Sequence, residues 1–137
     1  MSSALDKAND VLTTNIKLNE NEAVVYEDRM AFHMKSKWMA EGGALYLTNQ
    51  RLVFKKADNP FVGFVAKLFI KMAQAKVTHD IPLNSIKSLT KEKVMRTHNL
   101  ILEYGNGEKA TFRTTKTEKF EAELYMLTKI QAQVHGD

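Results

Sequence analysis

Residues 43–54 constrain the fold of this chain more than any other stretch, because two alternating apolar runs are joined there by one polar turn. The apolar side chains that recur at every second position are Leu45, Leu47, Leu52 and Phe54. A period of two is typical of half-buried strands. The turn Thr48-Asn49-Gln50 separates the two runs, and Asn49 is the residue there best suited to a left-handed backbone. The stretch therefore predicts a β-hairpin.

The same residues form the pattern Gly-x-Leu-x-Leu-Thr-Asn-x-Arg-Leu-x-Phe. This pattern resembles the hairpin of GRAM domains, a branch of the pleckstrin-homology-like (PH-like) superfold. The resemblance implies a mainly β fold, in which a bent sandwich or barrel of seven strands is plugged at one end by a C-terminal helix. It also implies a binding module for phosphoinositides or protein partners.

The rest of the sequence predicts the order of strands and helix that this fold has. A first strand is expected between Glu22 and Lys35, and short β-rich runs follow at 80–83, 86–93, 98–104 and 108–112. Pro82 cannot donate to a ladder, so its strand should be an edge or a bend rather than the centre of a sheet. Gly105-Asn106-Gly107 predicts a tight hairpin turn, because its residues accept positive φ at little cost.

The C-terminal residues predict one amphipathic helix. Thr115 and Glu118 have the spacing of a capping box, and apolar residues recur at threes and fours from Phe120 to Val134. We therefore expect one PH-like domain over residues 18–137, preceded by a leading segment, 1–17, whose loose apolar spacing predicts a short helix.

Composition narrows the classes of protein. The 137 residues suffice for one core and include no cysteine, which excludes disulfides and thiolate metal sites and is compatible with a reducing cytoplasm. The N-terminus lacks the apolar stretch of a secretory signal, and no run reaches the ~18 apolar residues of a membrane span. We expect a cytoplasmic protein, associated with membranes at most peripherally.

Positive charge is concentrated in the middle of the chain. The formal net charge is +4, yet residues 35–58 carry five bases against two acids and residues 59–101 carry seven bases against two acids. That distribution favours anionic partners. It includes a segment between the third and fourth strands that is too long and too apolar for a simple loop.

This segment predicts an extra helix over about 60–75, with Asn59 as N-cap and Pro60 in the first turn. Its narrow polar wedge contains Lys67 and Lys71, and the rest is apolar. One interpretation is an interfacial helix whose phenylalanines enter a bilayer. The alternatives are packing against the barrel, a homodimer contact or a contact with a protein partner.

In a meander, the connections after strands one and three emerge at the same end, so the bases near them should converge. The candidate ligands for an acidic lipid headgroup are Lys35, Lys37, Arg51, Lys55, Lys56, Lys67 and Lys71. The candidate membrane or partner contacts are Trp38, Phe61, Phe64 and Phe69. For Arg51 two interpretations are open: anion binding, or packing on Tyr46 and pairing with an acid.

No pattern indicates catalysis. The histidines at 33, 79, 98 and 135 are scattered, and no nucleophile elbow, phosphate-binding glycine loop or dinucleotide motif occurs. We therefore expect no catalytic residues, no metal and no cofactor. Nucleic acid is not an expected partner, because the basic middle lacks a recognised docking motif.

Overall fold

The computed structural model describes residues 16–36, 38–57 and 76–135. The helix predicted for 1–17 lies outside the described residues except for its last two positions. The helix predicted for 60–75 and the site residue Lys37 also lie outside them, so these predictions are not tested.

In the described residues, eight strands form one open sheet in the order β4-β3-β2-β1-β7-β6-β5-β8. Two neighbouring pairs in this sheet, β1 with β7 and β5 with β8, are not consecutive along the chain. Every pairing is antiparallel except that of β5 with β8, which is parallel. The strands are β1 (Val24–Met34), β2 (Ala40–Thr48), β3 (Arg51–Lys56), β4 (Lys76–Pro82), β5 (Ile86–Val94), β6 (Thr97–Tyr104), β7 (Glu108–Arg113) and β8 (Ala132–His135). One helix, α1 (Thr117–Thr128), lies between β7 and β8.

The predicted hairpin is confirmed as β2 and β3. Leu45 lies opposite Phe54 and Leu47 opposite Leu52, and all four are buried in the main core. Asn49 does not use the left-handed backbone to which it is suited, since the described non-glycine residues with positive φ are at positions 21, 95 and 129. Asn49 instead stabilises the turn through its side chain, which accepts from Ala23 N (2.9 Å) and donates to the Asn21 carbonyl (3.0 Å).

Gly43 of the same hairpin has a steric role. A Cβ added there would lie 2.1 Å from the carbonyl oxygen of Lys55 and 2.9 Å from the Phe54 ring. Backbone atoms cannot move aside as a flexible side chain can, so β2 and β3 approach closely only with glycine at this position.

Helix α1 covers the end of the core at which β1 begins. Phe120 and Leu124 are fully buried, and the ring of Phe120 meets that of Tyr26 edge to face at 5.3 Å. Burying such a side chain contributes about 1.5–3 kcal/mol, which fixes the helix on the sandwich.

The helix predicted to run to Val134 ends earlier than expected. Lys129 has a left-handed backbone (φ 64°) and its N–H bonds the Tyr125 carbonyl at 2.8 Å, which terminates α1. Residues of β8 then gain ladder hydrogen bonds along the edge of β5. The capping box is also wrong: Lys116 is the N-cap without a side-chain cap bond, because Thr115 Oγ1 donates to Asp28 (3.0 Å).

Two turn and edge predictions are confirmed. Pro82 ends β4, which is an edge strand of the sheet, and Gly105 and Gly107 both have positive φ in the β6–β7 turn.

Candidate functional site

The pairing of β1 to β4 brings one terminus of each of these strands together, at the end of the sandwich opposite α1. Met34 pairs with Ala40, Gly43 with Lys56, and Lys56 with Lys76. The end of β1, the start of β2, the end of β3 and the start of β4 therefore share one end of the sandwich. This agrees with the expectation that the connections after strands one and three emerge together.

Five ionisable side chains meet at this end and are called here the open-end cluster. They are His33, Lys35, Glu41, Lys56 and His79. Glu41 is the central member: its Oε2 is 2.8 Å from Lys56 Nζ and 4.0 Å from Lys35 Nζ, and its Oε1 is 3.2 Å from His33 Nδ1. The hydrogen bond from Lys56 lowers the pKa of Glu41 below its usual value. The carboxylate therefore stays ionised and holds both lysines at this end.

The two histidines of the cluster cap the aromatic part of the core. Their ring centres are 4.3 Å apart, and each also contacts the rings of Phe54 and Phe112. Burial, and to a lesser extent the neighbouring His33, lowers the pKa of His79 below 6.5. His79 is thus mainly neutral at pH 7, and the lysines and Glu41 carry charge at this end.

Apolar side chains project beyond the cluster from the β1–β2 turn. Lys35 N and Ser36 N both donate to the Met39 carbonyl, which makes the turn tight. Trp38 is 87% exposed and Met39 is 59% exposed. Two large apolar groups in water beside two lysines form a surface suited to an interface that is both apolar and anionic.

Arg51 lies elsewhere and is fully engaged. Its Nε and Nη2 donate to Glu22 at 2.8 and 3.2 Å, its Nη1 donates to Asp80 at 2.8 Å, and its Nη2 also donates to the Lys17 carbonyl at 2.6 Å. Burial alone would raise the pKa of Glu22, but the hydrogen bonds from Arg51, Asn19 and Thr48 outweigh it and lower that pKa. The interpretation of Arg51 as a partner of acids is the one that the structure supports.

Lys55 is separated from Lys56 by the alternation of β3. Lys56 lies on the face of Phe54, whereas Lys55 lies on the opposite face with Val53. Lys55 is only 8% exposed, and this burial lowers its pKa. The structure therefore does not bring Lys55 to the surface that Lys35 and Lys56 share.

The other predicted site residues lie outside the described residues. These are Lys37, Phe61, Phe64, Lys67, Phe69 and Lys71. The expected bilayer or partner contacts of the 60–75 segment thus stay predictions.

Sequence reasoning missed the part played by Glu41, His33 and His79. Strand alternation could have found Glu41, since it shares a face with Leu45 and Leu47 and must end near the core. The meeting of the histidines depends on the register of β4, where one extra residue shifts the pairing between Phe54 and Lys55. No local sequence signal gives that shift.

Within the described ranges, no cluster of three or more His, Asp or Glu side chains is placed to hold a metal ion. In those ranges the structure also has no helix that is long and apolar enough to span a bilayer. The arrangement at the open end offers non-covalent contacts: lysine charge, exposed apolar surface and a protein scaffold that fixes both.

Neither models of protein families nor curated sequences match this chain. Solved structures do. The Vps36 N-terminal PH domain is similar with a TM-score of 0.57 at 17% identity, over 82% of this chain and 83% of that chain. The hSac2 domain from human phosphoinositide phosphatase Sac2 gives 0.61 at 13% identity, over 100% of this chain and 93% of that chain. The C-terminal domain of an unknown protein from Leishmania infantum gives 0.59 at 10% identity, over 91% and 98%.

These identities are low enough that the likeness concerns the fold alone. With the order of strands and the C-terminal helix, it establishes a PH-like fold for this chain.

Proposed function

We propose that this chain is a non-enzymatic, GRAM-type PH-like module that binds the surface of acidic membranes, those containing phosphoinositides included. The contact is made by the end of the sandwich that carries the open-end cluster and the β1–β2 turn. The observation that carries the proposal is the exposed Trp38 beside Lys35 and Lys56. Tryptophan favours the boundary between headgroups and acyl chains, and lysines favour an anionic leaflet.

The charges at this end support attraction of modest strength. Lys76, which is exposed at the start of β4, lies opposite Lys56 in the register. Among the described residues of this end, one carboxylate therefore stands among three lysines, and their net charge is positive. A lysine near an acidic leaflet contributes about 1 kcal/mol, so the lysines alone would give weak, reversible binding that salt suppresses.

Two further observations support the class of function. One similar structure is a PH domain and another is a domain of a phosphoinositide phosphatase. The resemblance of residues 43–54 to the hairpin of GRAM domains supports the GRAM type.

Sedimentation with vesicles tests the proposal. Wild-type protein should sediment with vesicles of phosphatidylcholine and phosphatidylserine, and should stay in the supernatant with phosphatidylcholine alone. Replacing Lys35 with glutamine should weaken acidic binding about fivefold, from the loss of about 1 kcal/mol. Lys87→Gln is the matched control, because Lys87 is exposed near the start of β5, at the end covered by α1. Equal sedimentation with and without acidic lipid would refute the proposal.

The alternative of a protein-interaction or homodimerisation module rests on residues 60–75. Light scattering on the wild type and on Phe64→Asp tests it: a dimer that the substitution dissociates would favour that alternative.

A further inference from the structure

The outer face of β2 and β3 is buried, although strand alternation turns it away from the main core. Ala44 and Tyr46 of β2 and Val53 of β3 lie on this face, and each of them is 0% exposed. We call these three residues the outer core. Phe32 of β1 lies on the same face of the sheet, opposite Gly42, yet it is 43% exposed. The burial is therefore particular to β2 and β3 and is not a property of the whole outer face.

A sheet face that buries a tyrosine and a valine completely needs a layer of apolar chain above it, since neighbouring strands cover only the edges of a strand. Helix α1 does not provide this layer, because Phe120 and Leu124 belong to the main core on the other face. The described apolar residues that pack on the outer core are Ile16, Val24 and Ala57, and all three are only partly buried. Ile16 and Ala57 each adjoin residues outside the described ranges, so the layer continues into chain beyond one of them.

The chain next to Ile16 is fixed at the start of β3. The Lys17 carbonyl accepts from Arg51 Nη2 at 2.6 Å, and Asn19 Nδ2 donates to Gln50 Oε1 at 3.3 Å. Residues 1–15 of the leading segment therefore meet the outer core from the end opposite the open-end cluster. Strand β3 has six residues and is about 20 Å long, and 15 residues in a helix would span about 22 Å. The leading segment is thus long enough to cross this face once.

The sequence of the leading segment suits a flat apolar face. Leu5, Ala8, Leu12 and Ile16 recur at intervals of three, four and four, which places them on one narrow stripe of a helix. The segment 60–75 is less suitable, because its apolar residues are spread over most of a helical circumference. Its two ends also leave and re-enter the sheet at the open end, where β3 pairs with β4.

We propose that the leading segment docks the stripe of Leu5, Ala8 and Leu12 on the outer core, and so completes a second apolar core on the outside of the sandwich. The proposal also accounts for the burial of Lys55, which shares this face with Val53. It goes beyond the proposed function and does not depend on membrane binding.

Thiol labelling of the full chain tests the proposal. Because the chain has no cysteine, Ala44→Cys places a single thiol in the outer core, and Ala31→Cys places one in the main core, where Ala31 is 1% exposed. Both thiols should react slowly with a maleimide, since access limits the reaction. Adding Leu12→Asp should make the thiol at position 44 react at least about tenfold faster and leave the rate at position 31 unchanged. Thr14→Asp is the matched control on the opposite side of the predicted helix, and it should change neither rate.

Labelling at position 44 that is no faster with Leu12→Asp than with Thr14→Asp would overturn the inference. Acceleration by Phe64→Asp in place of Leu12→Asp would also overturn it, because the cover would then belong to residues 60–75. Equal acceleration at positions 44 and 31 would contradict it as well, since Leu12 would then support the whole domain and not this face. Vesicles take no part in the measurement, so failure of the proposed function leaves its outcome unaffected.

Discussion

Replacing Arg51 with methionine tests the conclusion that this residue holds the fold rather than a ligand. The substitution keeps the length of the side-chain stem and removes the guanidinium. It leaves the Glu22 side chain, which is fully buried, with two donors among the described residues, Thr48 Oγ1 (2.6 Å) and Asn19 N (2.7 Å). Asp80, which is half-exposed, loses a partner that water can replace.

The magnitude follows mainly from Glu22. Breaking a buried ion pair by removing one partner costs about 3–5 kcal/mol. We take about 3 kcal/mol, because Arg51 itself is near the surface and water can reach the site it vacates. A urea m-value of about 2 kcal/mol/M converts this into a midpoint lower by about 1.5 M.

Urea unfolding followed by far-UV circular dichroism measures the midpoint, and the double variant Glu22→Gln with Arg51→Met is the control. The double variant should recover part of the loss, since it leaves no buried charge unpaired. A midpoint within about 0.3 M of the wild type would refute the reasoning. The reasoning would also be refuted if folded Arg51→Met bound acidic vesicles much more weakly than the loss of one charge predicts.

Three further predictions concern the same scaffold. Gly43→Ala should lower the free energy of unfolding by about 3 kcal/mol or more in thermal unfolding, because the new Cβ would meet the Lys55 carbonyl. Gly42→Ala is the control and should cost little, since a Cβ at position 42 has a Phe32 ring atom at 3.6 Å as its nearest neighbour. Asp28→Asn should cost about 2 kcal/mol in urea unfolding, because Asp28 accepts two backbone N–H and two hydroxyl bonds near the start of α1; a loss below about 0.5 kcal/mol would contradict this. Burial lowers the pKa of His79 in the folded protein, so the unfolded chain binds this proton at a higher pH than the folded chain does. The free energy of unfolding should therefore fall as pH decreases from about 7 toward 5. His79→Gln should remove that part of the pH dependence, as measured by urea unfolding at each pH.

The strands were predictable because their periods are local. Leu45 and Leu47 alternate with residues of the other face of the sheet. Gly105 and Gly107 mark the β6–β7 turn, because glycine accepts the positive φ that this turn has at both positions. These signals need no knowledge of distant residues, and the structure confirms them. The PH-like order of elements followed from them together with the hairpin motif.

The errors arose where distant contacts outweighed local preference. Thr115 has capping chemistry, yet Asp28, 87 positions away along the chain, takes its hydroxyl. The apolar spacing continues past Thr128, yet the left-handed Lys129 ends the helix and the free edge of β5 recruits β8. Tertiary partners that override propensity are not visible in a local pattern.

The candidate site was predictable only in part. The convergence of Lys35 and Lys56 followed from meander topology, but the same reasoning could not place Lys55, which strand alternation turns to the other face. Meander topology also could not show that Arg51 pairs with acids, since Glu22 and Asp80 are both 29 positions away along the chain.

The central claim is that the β1–β2 turn enters an acidic membrane surface, and Trp38 tests it most directly because it is the single tryptophan of the chain. Its emission should shift to shorter wavelength when vesicles of phosphatidylcholine and phosphatidylserine are added, and brominated acyl chains should quench it. Phosphatidylcholine alone should produce neither effect. Protein that sediments with acidic vesicles while the emission and quenching of Trp38 stay those of the free protein would contradict the account.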